Sequence, residues 1–172
     1  QVYKVRLGEF DDTKASVLGD YLPSKLGMDP EENVVWAVLP GDYTGGLLFF
    51  FENGKAARVD LGAYQTTSNR RKLTGAYSDK SPLVCVRTLD TDCELAVYST
   101  EGRCLLFHTA LLSPKATRPP QAVAVMPLQP KYPLASVTAL DAPGIVTAGR
   151  PRVRSLPAAG PPIRPHDPEA HQ

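Results

Sequence analysis

No apolar stretch in this chain approaches the roughly 20 residues that a bilayer-spanning helix needs, and no charged segment followed by an apolar one opens it. A soluble, cytoplasmic protein without a membrane partner is the expectation. Cysteine is scarce too. Cys85, Cys93 and Cys104 show no CxxC spacing and no histidine pair accompanies them, which argues against a zinc site or a redox pair. Cys85 and Cys104 lie in apolar runs and read as small core residues. Helical periodicity is missing as well, since no stretch keeps a 3.6-residue apolar repeat for more than a few residues, so helix content should be very low. Net charge is only +1, and its distribution carries more information than its sum: residues 1–46 hold −4, residues 47–140 hold +4 and residues 141–172 hold +1. The basic middle hints at an anionic partner.

What is present is strand-like. The chain opens on Gln1 rather than Met, and Val2-Tyr3-Lys4-Val5-Arg6-Leu7 already alternates as the middle of a strand does. A start inside a larger protein is expected. Ala57, Val59 and Leu61 alternate with Arg58 and Asp60, the period-two pattern of a half-buried strand. Asn53-Gly54 between two such runs is a strong hairpin signal, and it predicts a type I′ turn with positive φ at both residues.

The strands recur. Phe49-Phe50-Phe51-Glu52-Asn53-Gly54-Lys55 falls on Val97-Tyr98-Ser99-Thr100-Glu101-Gly102-Arg103 at an offset of 48, which also places Arg70 on Arg118. A third copy opens the chain, where Val5-Arg6-Leu7-Gly8-Glu9-Phe10 falls on Val59-Asp60-Leu61-Gly62-Ala63-Tyr64 at an offset of 54. A longer loop explains the difference; it runs through Pro23, Gly27 and Pro30 to the apolar run Val34-Val35-Trp36-Ala37-Val38-Leu39. A repeat of about 50 residues with about four short strands, including residues 83–89 and 122–128, has the size of a propeller blade. The expected fold is therefore all-β, an incomplete ring of propeller-like blades over residues 1–140. It would hold the end of one blade, two fuller blades and the start of another near residues 134–140. Repeats bury their faces against neighbours, so the isolated chain should be less stable than a longer array. Of seventeen prolines, seven lie from Pro143 to Pro168, and the segment 141–172 reads as a Pro- and Ala-rich tail, extended or disordered from about Arg150.

Three stretches resemble the C-terminal region of the DNA-cleaving chain (the GyrA/ParC type) of bacterial gyrase and topoisomerase IV. They are Leu47-Leu48-Phe49-Phe50-Phe51-Glu52-Asn53-Gly54-Lys55, Thr67-Ser68-Asn69-Arg70-Arg71-Lys72-Leu73, and Ala76-Tyr77-Ser78-Asp79-Lys80-Ser81-Pro82-Leu83. Phe107-His108-Thr109-Ala110-Leu111-Leu112, Lys115-Ala116-Thr117-Arg118 and Gln121-Ala122-Val123-Ala124-Val125-Met126 carry the same stamp. The resemblance covers residues 1–140 and implies a β-pinwheel, a ring of blades that exchange strands and whose basic rim binds and bends double-stranded DNA. It also implies a nucleoid-associated bacterial location and a parent type IIA topoisomerase, assembled from DNA-cleaving and ATP-hydrolysing subunits, that uses ATP and magnesium elsewhere. The family's strand-breaking tyrosine directly follows an arginine, and no tyrosine here does, so this chain should not be an enzyme by itself and should need no cofactor. The glutamine-arginine-arginine-glycine-glycine-lysine-glycine box of gyrase is absent.

The densest basic cluster is Asn69-Arg70-Arg71-Lys72 with Lys80 nearby, in a loop from which long side chains can reach phosphates. Arg118 matches Arg70 in the next copy and Lys115 flanks it. Lys55 and Arg103 follow the hairpin glycines in successive copies. These eight residues, Lys55, Arg70, Arg71, Lys72, Lys80, Arg103, Lys115 and Arg118, are the candidate DNA contacts, against the blander reading of solvated loops. Gly41-Asp42-Tyr43-Thr44-Gly45-Gly46 lacks the lysine of a phosphate-cradling loop and reads as a turn. Trp36, Phe49, Phe50 and Phe51 read as blade packing, and His108 as structural. The competing class is a propeller-type protein-interaction module with no nucleic-acid role.

Overall fold

A computed structural model of the protein describes residues 1–68, 71–140 and 151–163. Nine strands dominate it: β1 Val2–Tyr3, β2 Gly46–Phe51, β3 Lys55–Asp60, β4 Lys72–Leu73, β5 Leu83–Leu89, β6 Glu94–Ser99, β7 Cys104–His108, β8 Val123–Ala124 and β9 Leu134–Ala139. The one α-helix among the described residues, α1 Leu22–Leu26, is a single turn with Pro23 near its start and Gly27 in the left-handed region at its end. None of the described helices is long and apolar enough to cross a membrane.

The strands form two principal sheets, ordered β5-β2-β3-β8 and β7-β6-β9, with β1 and β4 as a separate pair. All pairs are antiparallel. In both principal sheets an apolar strand occupies the middle. β2 is buried along its whole length, because strands flank both edges and packed side chains cover both faces. Period two then sorts its residues: Leu48 and Phe50 enter a core shared with Leu95, Val97, Leu105 and Phe107 of the second sheet, whereas Leu47, Phe49 and Phe51 enter another with Val59, Leu61, Tyr64, Leu73 and Val86. β6 repeats the division, with Leu95 and Val97 in the shared core and Ala96 and Tyr98 on the far side with Cys104 and Leu106. The two sheets thus stack as successive blades on one apolar layer. Even the irregularities repeat, for the register shifts between Phe50 and Phe51 on β5 and between Tyr98 and Ser99 on β9, one repeat apart.

The hairpin turn differs from the type I′ expectation. Among the described non-glycine residues only Tyr43 has positive φ, so Asn53 does not adopt it. Glu52, Asn53 and Gly54 form a three-residue loop in which the Gly54 amide donates to the Phe51 carbonyl at 3.0 Å and only Gly54, φ 77°, is left-handed. A longer loop with glycine in that conformation satisfies the same strand twist.

Strand exchange links the blades. β8 comes after β7 in sequence, yet it closes the earlier sheet by pairing with β3, and Lys115 bonds to the other end of β3 through Asp60 N–H (2.8 Å) and Arg58 carbonyl (2.9 Å). Residues 151–163 do the same for the second sheet. The amides of Leu106 and Cys104 donate to the carbonyls of Pro151 (2.7 Å) and Pro161 (3.1 Å), and Val153 and Ile163 donate to Leu106 (2.8 Å) and Gly102 (2.9 Å). Val153, Leu156 and Ala158 pack on the shared core. This corrects the reading of the tail as featureless: residues 151–163 are extended but packed, forming the fourth line of the second blade. Proline lacks an amide donor but keeps its carbonyl, which is all an outer strand needs at these positions. A second correction concerns residues 134–140. β9 pairs with β6 and so completes the second blade as β5 completes the first, instead of starting another. Residues 141–150 and 164–172 lie outside the described residues.

Trp36 also departs from expectation. Its side chain is 46% exposed, and its indole N–H reaches Thr88 Oγ1 at 3.3 Å. Phe49, Phe50 and Phe51 are fully buried, as blade packing requires.

Candidate nucleic-acid interface

The candidate cations gather at two ends of the strands. The first group surrounds the 3₁₀ turn Leu61–Tyr64, which follows β3. Tyr64 anchors that turn: its ring is buried, its hydroxyl donates to the Ala76 carbonyl at 2.7 Å, and burial raises the phenol pKa far above its ordinary value. Two cations use the carbonyls exposed where the turn ends. Arg118 Nε donates to Ala63 O at 2.7 Å while its guanidinium lies 5.6 Å over the Tyr64 ring, and Lys4 Nζ reaches Tyr64 O at 3.5 Å and Thr66 Oγ1. The Lys4 amide in turn donates to Arg71 O. Lys4, Arg71 and Arg118, far apart in sequence, therefore converge on one turn.

Arg71 and Lys72 already have acidic neighbours. Arg71 pairs with Glu9, and its side chain remains 53% exposed. Lys72 pairs with Asp29 at 3.3 Å and lies 5.6 Å over the ring of Tyr3. The hydrogen bonds to Tyr3 and Asp29 raise the pKa of its ammonium, so it stays charged well above neutral pH. Tyr3 donates to Glu32, and that bond holds the carboxylate's pKa below its ordinary value. Lys115 is held by its backbone against β3, and its exposed side chain makes no ion pair among the described residues. Arg70 lies outside the described residues.

The second group sits at the hairpin-turn end. Lys55 follows Gly54, and the Lys80 loop is tied to the same turn because Ser81 Oγ accepts from Asn53 N–H at 3.1 Å. Both lysines are exposed, and neither makes an ion pair among the described residues. Arg103 is engaged structurally: it bonds Glu101 at 3.1 Å and the Gly160 carbonyl at 3.0 Å, clamping the outer line of its blade. The six residues of β3 separate the two groups, a rise of about 17 Å at roughly 3.3 Å per residue. Sequence reasoning passed over Lys4, whose partners Tyr64 and Thr66 lie about sixty residues away and left no local signal. His108 caps a short 3₁₀ turn, its Nδ1 accepting from Ala110 N–H at 3.3 Å, in keeping with a structural role. No group of three or more His, Cys, Asp or Glu among the described residues could hold a metal ion.

Stacked blades that lend their outer strands to one another, with almost no helix, define a β-pinwheel. The fold is shared with the solved C-terminal domain of DNA topoisomerase IV, which superposes with a TM-score of 0.69 at 24% identity over 79% of this chain and 43% of that one. This chain thus spans less than half the length of that structure. A DNA gyrase A C-terminal domain gives a TM-score of 0.47 at 18% identity over 58% of this chain and 32% of its own, and the E. coli ParC C-terminal domain 0.45 at 14% over 58% and 41%. No family model and no curated protein matches the chain.

Proposed function

We propose that this chain is a DNA-holding segment from the C-terminal region of the DNA-cleaving chain of a type IIA topoisomerase. Its role would be to grip and bend duplex DNA by backbone contacts while a catalytic part elsewhere in the parent passes strands, using ATP and magnesium and the ATP-hydrolysing partner chain. The observation that carries the reading is the convergence of Lys4, Arg71, Lys72, Lys115 and Arg118 at one end of a pinwheel whose fold is that of a topoisomerase IV domain. Phosphate contacts need no base readout, so a deformed duplex laid on such an edge would be held without sequence preference. The carboxylates of Glu9 and Asp29 do not preclude this, because exposed ion pairs are worth only about 0–1 kcal/mol and can exchange one oxyanion for another. Lys55 and Lys80, at the other end, would contribute only if DNA reached both ends of the strands.

Binding to a random-sequence duplex across a salt series tests the proposal. The log–log slope should be negative, at about −0.9 per phosphate neutralised, and charge reversal of Arg71, Lys72 and Lys115 together should flatten it by about 2–3. A slope near zero in the unaltered chain would overturn the reading. The second reading, a protein-interaction module, draws support from Glu9 and Asp29, which already neutralise two of the candidate cations; it predicts that flat slope.

A further inference from the structure

Residues 34–39 are the most apolar surface the chain exposes among the described residues. Val34, Val35, Trp36, Val38 and Leu39 are 48%, 57%, 46%, 38% and 70% exposed. They also occupy a recognisable place in the repeat. At an offset of 50, Val34-Val35-Trp36-Ala37-Val38-Leu39 falls on Val84-Cys85-Val86-Arg87-Thr88-Leu89, which is β5, the strand beside the buried centre of the first full blade. Position for position the environments differ sharply: Val86 and Leu89 are 5% and 6% exposed, against 46% and 70% for Trp36 and Leu39.

Packing supports the alignment independently. Trp36 Nε1 donates to Thr88 of β5 at 3.3 Å, and one repeat later Arg87 of β5 donates to Val137 of β9 at 3.3 Å. Residues 34–39 therefore lie against β5 as β5 lies against β9. The remaining parts of this first blade are present too. β1 corresponds to β3, and β4 closes it as β8 closes β3, with Val2 opposite Leu73 where Ala56 stands opposite Val123. In both full blades an apolar strand, β2 or β6, runs between these two lines. Among the described residues the first blade has no such strand.

The geometry points to a strand-acceptor site between β1 and residues 34–39. Its occupant is an extended apolar segment of the chain's own repeat type, like Gly46–Phe51, running antiparallel to both lines. The repeat also says how it connects, since Gln1 falls on Lys55, the residue after the hairpin glycine; the occupant would enter β1 through a tight turn before Gln1. Backbone bonds to two flanking strands would supply affinity, and alternate apolar side chains would cover Trp36 and Leu39. This inference stands whether or not the chain binds DNA.

A graft tests it. A copy of residues 46–54 is joined directly before Gln1 of the full chain, and Trp36, the single tryptophan, reports by fluorescence. The expected result is a blue-shifted emission, weaker acrylamide quenching, and amide exchange across residues 34–39 slowed by at least about tenfold in a monomer. A graft with lysines in place of the residues copied from Leu48 and Phe50 should do neither. If the grafted chain fails to fold, the same segment with a lysine-rich tail, added in trans to the unaltered chain, gives the same readouts. Unchanged exchange and emission in both formats would overturn the proposal, as would protection that appears only in a dimer pairing residues 34–39 of two copies.

Discussion

At the scale of single residues, the glycines of the two hairpin loops perform the same backbone task under different constraints. Gly54 and Gly102 both sit in the left-handed region, at φ 77° and 79°. A Cβ on Gly54 would also collide with the Met126 carbonyl of β8's extension, whereas one on Gly102 meets nothing within 4 Å. Gly102→Ala should therefore cost only the conformational strain, about 1 kcal/mol, while Gly54→Ala should cost about 3 kcal/mol or more. Urea unfolding of the two variants measures the difference, and equal losses would mean that the strand exchanged into the first full blade is not tightly seated. The glycines themselves were legible in the sequence; their unequal burial was not, because the Met126 carbonyl comes from a strand that the chain reaches only after building most of the next blade.

Among elements, the outer line formed by residues 151–163 has the least expected role. Its composition argues for a solvated tail, and in isolation it would be one. The edge of β7 changes the balance, because the amides of Cys104 and Leu106 would otherwise be buried without acceptors. Gly160 allows the closest approach: at φ 68°, a Cβ there would come within 2.9 Å of the Cys104 carbonyl and 2.8 Å of the Met126 side chain. Deleting residues 151–172 should leave the first full blade folded and speed amide exchange at Cys104 and Leu106 by at least about tenfold. Unchanged protection at those two amides would show that the tail merely rests on the blade. The basic loops belong to this scale too. Their residue types were legible, but the division into a group at the Leu61–Tyr64 turn and another at the hairpin turns depends on which strand end each loop leaves.

Across the whole molecule, stability rests on one layer. Leu48 and Phe50 of β2 meet Leu95, Val97, Leu105 and Phe107 of the next blade, so neither blade has a private core on that side. Phe50 is fully buried, and Phe50→Ala should cost about 3–5 kcal/mol. Coupling predicts more than a local loss: exchange of β6 amides should quicken along with that of β2. Hydrogen exchange followed strand by strand would show it, and a loss confined to β2 would mean that the blades are independently stable.

The sequence by itself determined the strand type, the repeat and the alternation that sends neighbouring residues of β2 to opposite cores, since each of these is written in local residue order and obeys the two-residue period of an extended chain. Only the tertiary structure decided which strand closes which blade, that a proline-rich segment serves as an outer line, and that Lys4, Arg71 and Arg118 share one turn. Those outcomes depend on edges and carbonyls brought together from distant parts of the chain, where the physical partner of a group, and not its neighbours in sequence, sets its conformation.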